Sequence, residues 1–181
     1  RLARAGLDVD DRYVVVGDVV GEGATRRGAV AFVDTEDDVR FEQLTGRSLA
    51  VETFTTITET GDGSLLLAGE SDRGEEEVDA WVVKLTPDGT VRWNRIVPDP
   101  NAELYPAAVA ELENGDVLVA GVKRRGNVDD GWLARLDGRT GDVLWQRSYD
   151  RLSFTDAAVN GRGALVVGSS FESRVTRDGL V

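Results

Sequence analysis

The sequence predicts an all-β fold built from repeated four-stranded units. Three observations predict it. Val39-Arg40-Phe41, Val91-Arg92-Trp93 and Val143-Leu144-Trp145 place an aromatic at positions 41, 93 and 145, a period of 52 residues. A second landmark, an apolar run closed by glycine, recurs as Val14-Val15-Val16-Gly17, Leu66-Leu67-Ala68-Gly69, Leu118-Val119-Ala120-Gly121 and Leu165-Val166-Val167-Gly168. Asp62-Gly63, Asp88-Gly89 and Asn114-Gly115 supply short hairpin turns, because Asn, Asp and Gly tolerate the positive φ that such turns need. No stretch carries useful helical periodicity.

The units follow in order along the chain. The first has the run ending at Gly17, a degenerate turn at Asp34-Thr35-Glu36-Asp37-Asp38, and Phe41 in the aromatic place. The second runs from the Asp62-Gly63 turn through Leu66 to Gly69, then Asp79-Ala80-Trp81, then Asp88-Gly89 and Trp93. The third reads most clearly: a strand over 106–113, an apolar strand over 116–122, a polar loop over 123–130, then a strand in which Trp132, Ala134 and Leu136 share one side. After the turn over 137–142, a fourth strand puts Val143, Trp145, Arg147 and Tyr149 on one side. The last unit holds Gly168 and matches the third landmark with Asp178-Gly179-Leu180, so it is expected to be cut in its third strand.

Four antiparallel strands recurring every ~40–50 residues are the pattern of β-propeller blades. The expectation is about 3.5 blades of a larger propeller, with approximate bounds 1–52, 53–104, 105–152 and 153–181, the remaining blades supplied by flanking sequence. The initial Arg1 fits an excised or processed segment. Continuous apolar second strands fit a position between neighbouring blades, where both faces are covered. The fourth-strand aromatic is expected to pack between blades, Trp145 included.

Leu136-Asp137-Gly138-Arg139-Thr140-Gly141-Asp142-Val143-Leu144-Trp145 resembles the tryptophan-docking motif of pyrroloquinoline-quinone-like (PQQ-like) β-propeller repeats. The second unit, from Asp79 to Trp93, is similar to a looser relative found in bacterial and archaeal surface proteins and lacks the Thr-Gly pair. The resemblance implies a propeller. In its enzymatic branch, the quinoprotein dehydrogenases, it also implies quinone and calcium held at the centre of a closed ring. No inward Asp or Glu outside the turns is evident here, so the residues themselves point to no cofactor and no catalytic group.

Composition narrows the function further. A net charge of −12 argues against nucleic acid, which requires a clustered Lys/Arg surface. The absence of Cys and His removes thiolate nucleophiles, disulfides, the commonest metal ligand and the commonest general base. Lys occurs only at 84 and 123, and the remaining basic residues are Arg. That acidic, lysine-poor balance is similar to proteins of salt-loving microbes, and codon bias in a GC-rich genome yields it too. Nothing approaches the ~18 apolar residues of a membrane span.

Strand parity sends the tight turns 60–63, 86–90, 113–116 and 137–142 to one end. The connections 18–28, 70–79, 122–130 and 169–178 go to the other, with interblade links near 46–53, 98–105 and 150–153. This second, long-loop end is the expected binding face. Its charged residues are the candidates for contacting a partner: Arg26, Arg27, Asp72, Glu75, Glu76, Glu77, Lys123, Arg124, Arg125, Arg174 and Arg177. The acidic groups Asp8, Asp10, Asp11 and Asp34, Glu36, Asp37, Asp38 read as hairpin turns in preference to calcium sites. Gly17-Asp18-Val19-Val20-Gly21-Glu22-Gly23 precedes no helix and is no phosphate loop. The expected function is a non-catalytic scaffold, exported or on a cell surface, holding a protein or carbohydrate partner. The alternative is part of a quinoprotein oxidoreductase.

Overall fold

The computed structural model describes residues 2–9, 12–20, 26–33, 38–44, 51–72, 77–160 and 163–170. They form a partial β-propeller of consecutive antiparallel sheets, without a helix among them. The first sheet is β1 (Leu2–Val9), β2 (Arg12–Val20), β3 (Arg26–Val33) and β4 (Val39–Leu44) in that order. The second is β5 (Val51–Glu59), β6 (Leu65–Asp72), β7 (Val78–Leu85) and β8 (Val91–Val97). The third is β9 (Glu103–Glu111), β10 (Val117–Arg125), β11 (Val128–Leu136) and β12 (Val143–Tyr149), followed by the pair β13 (Leu152–Asn160) and β14 (Gly163–Ser170). The first strands β1, β5, β9 and β13 neighbour one another, so each sheet begins near a shared axis and steps outward.

The tight turns form as their sequence demands. In each of the four, a glycine at positive φ closes a four- or five-residue turn: Gly63 at 74°, Gly89 at 91°, Gly115 at 84° and Gly141 at 76°. Its amide bonds back to the residue that opens the turn, as Gly63 N does to the Thr60 carbonyl at 2.9 Å. Side chains close the same loops: the Thr60 hydroxyl donates to Asp62 at 2.6 Å, and the Thr140 hydroxyl to Asp142 at 2.9 Å.

Apolar side chains alternate between two seams. Leu65, Leu67, Trp81, Val83 and Leu85 of the second blade meet Val14, Val16, Val30 and Phe32 of the first. Leu66, Ala68, Ala80, Val82 and Trp93 meet Leu104, Val109, Val117, Val119 and Trp132 of the third. Strand β7 is therefore buried along its whole length. Trp81 is fully buried, stacks on Phe54 at 4.0 Å, and gives its indole N–H to Asn94 at 2.7 Å. Trp132 sits likewise in its own sheet, donating to Gln146 at 2.9 Å.

Small residues make room for these rings. A Cβ on Gly28 would lie 2.2 Å from the Trp81 ring, and one on Gly131 would lie 2.8 Å from Phe154. Gly28, Ala80 and Gly131 occupy equivalent places in successive blades, each beside a large aromatic of the following one or in its seam.

Several expectations are corrected. The polar loop over 123–130 is strand: β10 continues to Arg125, β11 starts at Val128, and Lys123, Arg124 and Arg125 pair with Asp130, Asp129 and Val128. Two ion pairs across that hairpin, Arg124–Asp129 and Arg125–Asp130, let charged residues hold a ladder that apolar patterning alone did not suggest. Arg26 and Arg27 lie on β3 and Asp72 ends β6, so these three candidates stand on strand ends and not in loops. The first strand of the third blade starts at Glu103 and tolerates Pro106, because a bulge between Ala120 and Gly121 opens the ladder opposite it. Trp145 is only half-buried, whereas Trp93 is 5 % exposed. The seam aromatic of the expectation is Trp93. Phe41, together with Glu36, Asp37 and the other acidic turn residues at 10, 11 and 34, lies outside what is described of side chains.

Candidate functional site

The end carrying the interblade links holds a cleft of about 400 Å³ in the seam between the second and third blades. Glu77 and Asp79 reach it from the start of β7, Asp99 to Ala102 from the link after β8, Glu103 and Tyr105 from β9, and Arg124, Arg125 and Gly126 from the β10–β11 hairpin. Inner strand, link and hairpin converge there because every blade sends its second connection, and its link to the next blade, to this end.

Charge in and behind the cleft is organised as pairs. Arg124 grips Asp129 through two hydrogen bonds of 2.8 and 3.1 Å and lies over the Tyr105 ring at 5.0 Å. The bidentate bond to Asp129 raises the Arg124 pKa, and the same bond holds Asp129 below the usual carboxylate range. Arg125 pairs with Asp130, and Lys123 with Asp99, the latter with each side chain 16 % exposed. Asp130 is 2 % exposed and also accepts the Arg151 amide at 3.2 Å. That contact fastens the two-residue link, where Arg151 takes φ 57°.

The carboxylates are not all compensated alike. Burial, then the negative charge of Asp72, pushes the Glu70 pKa up. Burial and then Glu103 push Tyr105 up, with Glu70 adding to the effect. Burial of these two groups is the larger cause in both cases, and the Arg124 guanidinium acts on Tyr105 in the opposite direction.

Of the sequence-predicted contact residues, the structure brings Glu77, Arg124 and Arg125 into this cleft and Lys123 behind it. Arg26 and Arg27 stand elsewhere, on the first blade, where Arg26 faces Asp18 at 3.8 Å. Asp72 ends β6 and acts on the site through Glu70. Glu75, Glu76, Arg174 and Arg177 lie outside the described residues. Tyr105, Glu103, Asp79 and Asp99 went unpredicted as site residues. The signal for one of them was present, since Asp79 and Asp130 hold the same place before a tryptophan.

Two further hollows lie among the tight turns, of about 380 and 490 Å³. Both border Glu111, which accepts from Lys84 at 3.1 Å and from the Gly61 amide at 2.9 Å. Arg92–Asp62 and Arg135–Asp116 pairs close the same end. Among the described residues no group of three or more potential ligands could hold a metal ion, and no helix is long and apolar enough to cross a membrane.

In comparisons with known proteins, no family model and no curated protein matches this chain.

Proposed function

We propose that this chain is a non-catalytic binding scaffold that holds a protein or carbohydrate partner at the link end of its blades. The observation that carries the reading is the 400 Å³ cleft in the seam between the second and third blades, walled by strands of two rigid sheets. Such walls hold polar groups in place at little ordering cost, which is what a recognition surface requires. Arg124 and Asp129 hold each other in their charged forms, so one wall of the cleft keeps a fixed ion pair.

The test is a titration of the full chain against a panel of charged peptides and oligosaccharides, repeated with Ala102→Trp, which fills the cleft. One class of partner should bind saturably and lose that binding in the variant, with thermal unfolding unchanged. Absence of any saturable partner, or binding indifferent to the filled cleft, contradicts the reading.

A further inference from the structure

We propose that the chain pairs head to tail with a second copy of itself. The Leu165 and Val167 face of one copy's last sheet packs on the Tyr13 and Val15 face of the other's first sheet, and two such seams close one ring of blades. This surface is separate from the cleft and goes beyond the scaffold reading above.

The second strand of each blade sets the rule. On β6, Leu66 and Ala68 turn forward to the third blade, while Leu65 and Leu67 turn back to the first. On β2, Val14 and Val16 turn forward to the second blade, and on β10, Val117 and Val119 turn back to it. Strand alternation then points Leu118 and Ala120 forward, toward β13. Counted from the glycine that closes each run, the residues three and one before it face forward, and those four and two before it face back. Each side chain so placed in these three strands' seams is at most 4 % exposed.

The same count gives Leu165 and Val167 to the forward face of β14, and Tyr13 and Val15 to the backward face of β2. There the covering stops: Leu165 is 64 % exposed, Val167 45 % and Tyr13 56 %, with Val15 half-buried. Strand β14 also carries no charged residue, in a chain with 33 acidic and 21 basic ones. An open apolar sheet face of this kind gains by burial and marks an interaction surface. One face is of the forward kind and the other of the backward kind, the pairing that joins the first blade to the second and the second to the third. Both are exposed in one chain, so they meet between copies, as a heterologous contact that forms a ring when its rotation closes. Each chain holds four sheets, so two copies bring eight to the ring, within the roughly 4–8 blades of propellers, whereas a third copy would exceed it.

The experiment is sedimentation equilibrium of the full chain at micromolar concentration, with twice the mass of one chain expected. Leu165→Glu with Val167→Glu, and separately Tyr13→Glu, should each raise the dissociation constant at least about tenfold, because a carboxylate enters an apolar seam. Val91→Glu, at an exposed valine on the outer strand β8, should change it less than about twofold. Circular dichroism checks that each variant is folded, and Leu165→Ser with Val167→Thr replaces the β14 variant if it is not. Mixing the β14 variant with the Tyr13 variant leaves one intact seam, so the mixture should associate more tightly than either variant alone. A monomeric parent chain, an assembly larger than two copies, or a dimer indifferent to both face variants overturns the proposal. So does equal weakening by Val91→Glu, or a mixture that recovers nothing, which would place like faces against each other.

Discussion

Trp93 gives its indole N–H to the carbonyl of Gly138, 3.0 Å away in the next blade. The ring packs closely against the turn there, since a Cβ on Gly141 would come within 2.7 Å of it. A fourth-strand aromatic of one blade is thus seated on the third turn of its neighbour, and Gly141 provides both the positive φ of 76° and the clearance. Removing this ring opens a cavity in the seam. Trp93→Ala should cost about 3–5 kcal/mol by chemical denaturation. Trp145→Ala, at a half-buried ring carrying Arg147 at 4.9 Å, should cost less than about 2 kcal/mol. Equal losses at the two positions would contradict the assignment of the seam.

The first seam depends on a missing side chain. Gly28 has room only for hydrogen, with Trp81 at 2.2 Å and Phe54 at 2.9 Å from a built Cβ. Gly28→Val should destabilise by about 1–3 kcal/mol or more through overpacking. The measurement is the denaturation midpoint at unchanged m-value. An unaltered midpoint would show that the first and second blades are not in register as described.

Lys84 is 5 % exposed and crosses the seam to Glu111, which stands in the third blade. Lys84→Ala should cost about 2–4 kcal/mol, because it leaves a carboxylate beside an apolar seam without its cation. Lys84→Met with Glu111→Leu should recover most of that loss. A double variant as unstable as the single one would place the cost in packing and not in the stranded charge.

Glu70 gives a pH signature with a defined sign. Its folded pKa is raised, first by burial and then by Asp72, so its charged form costs stability wherever it is ionised in both states. Glu70→Gln should therefore raise the melting temperature at pH 7. The gain should fade as pH falls to about 4, where the unfolded carboxyl is also protonated. The aspartates with lowered pKa act oppositely: Asp62, held down chiefly by the Thr60 hydroxyl and Ser64, contributes above about pH 4 and loses that contribution on acidification. A Glu70→Gln effect independent of pH would reject an electrostatic origin.

The fold was legible because its punctuation is local. The apolar run before Gly69 and Gly121, the turns at Gly63, Gly89 and Gly115, and the aromatic period each follow from what one short stretch of chain can do. The seams were legible only in part. Trp93 and Trp145 look alike in sequence, and what separates them is burial: Trp93 is seated on the next blade's turn at Gly138, whereas Trp145 is half-buried. The cleft was the least legible. Lys123, Arg124 and Arg125 suggested a polar loop, because their partners Asp99, Asp129 and Asp130 are supplied by pairing across strands and from the interblade link. Tyr105 is brought to Arg124 by the same strand pairing, which no spacing along the chain announces.

The central claim is that tryptophans in series mark the seams where blades meet. It is tested most directly by hydrogen exchange of the four indole N–H groups in the full chain. Trp81, Trp93 and Trp132, bonded to Asn94, Gly138 and Gln146, should exchange slowly and together with global unfolding, while Trp145 exchanges fast. Rapid exchange at Trp93 with protection at Trp145 would contradict the account.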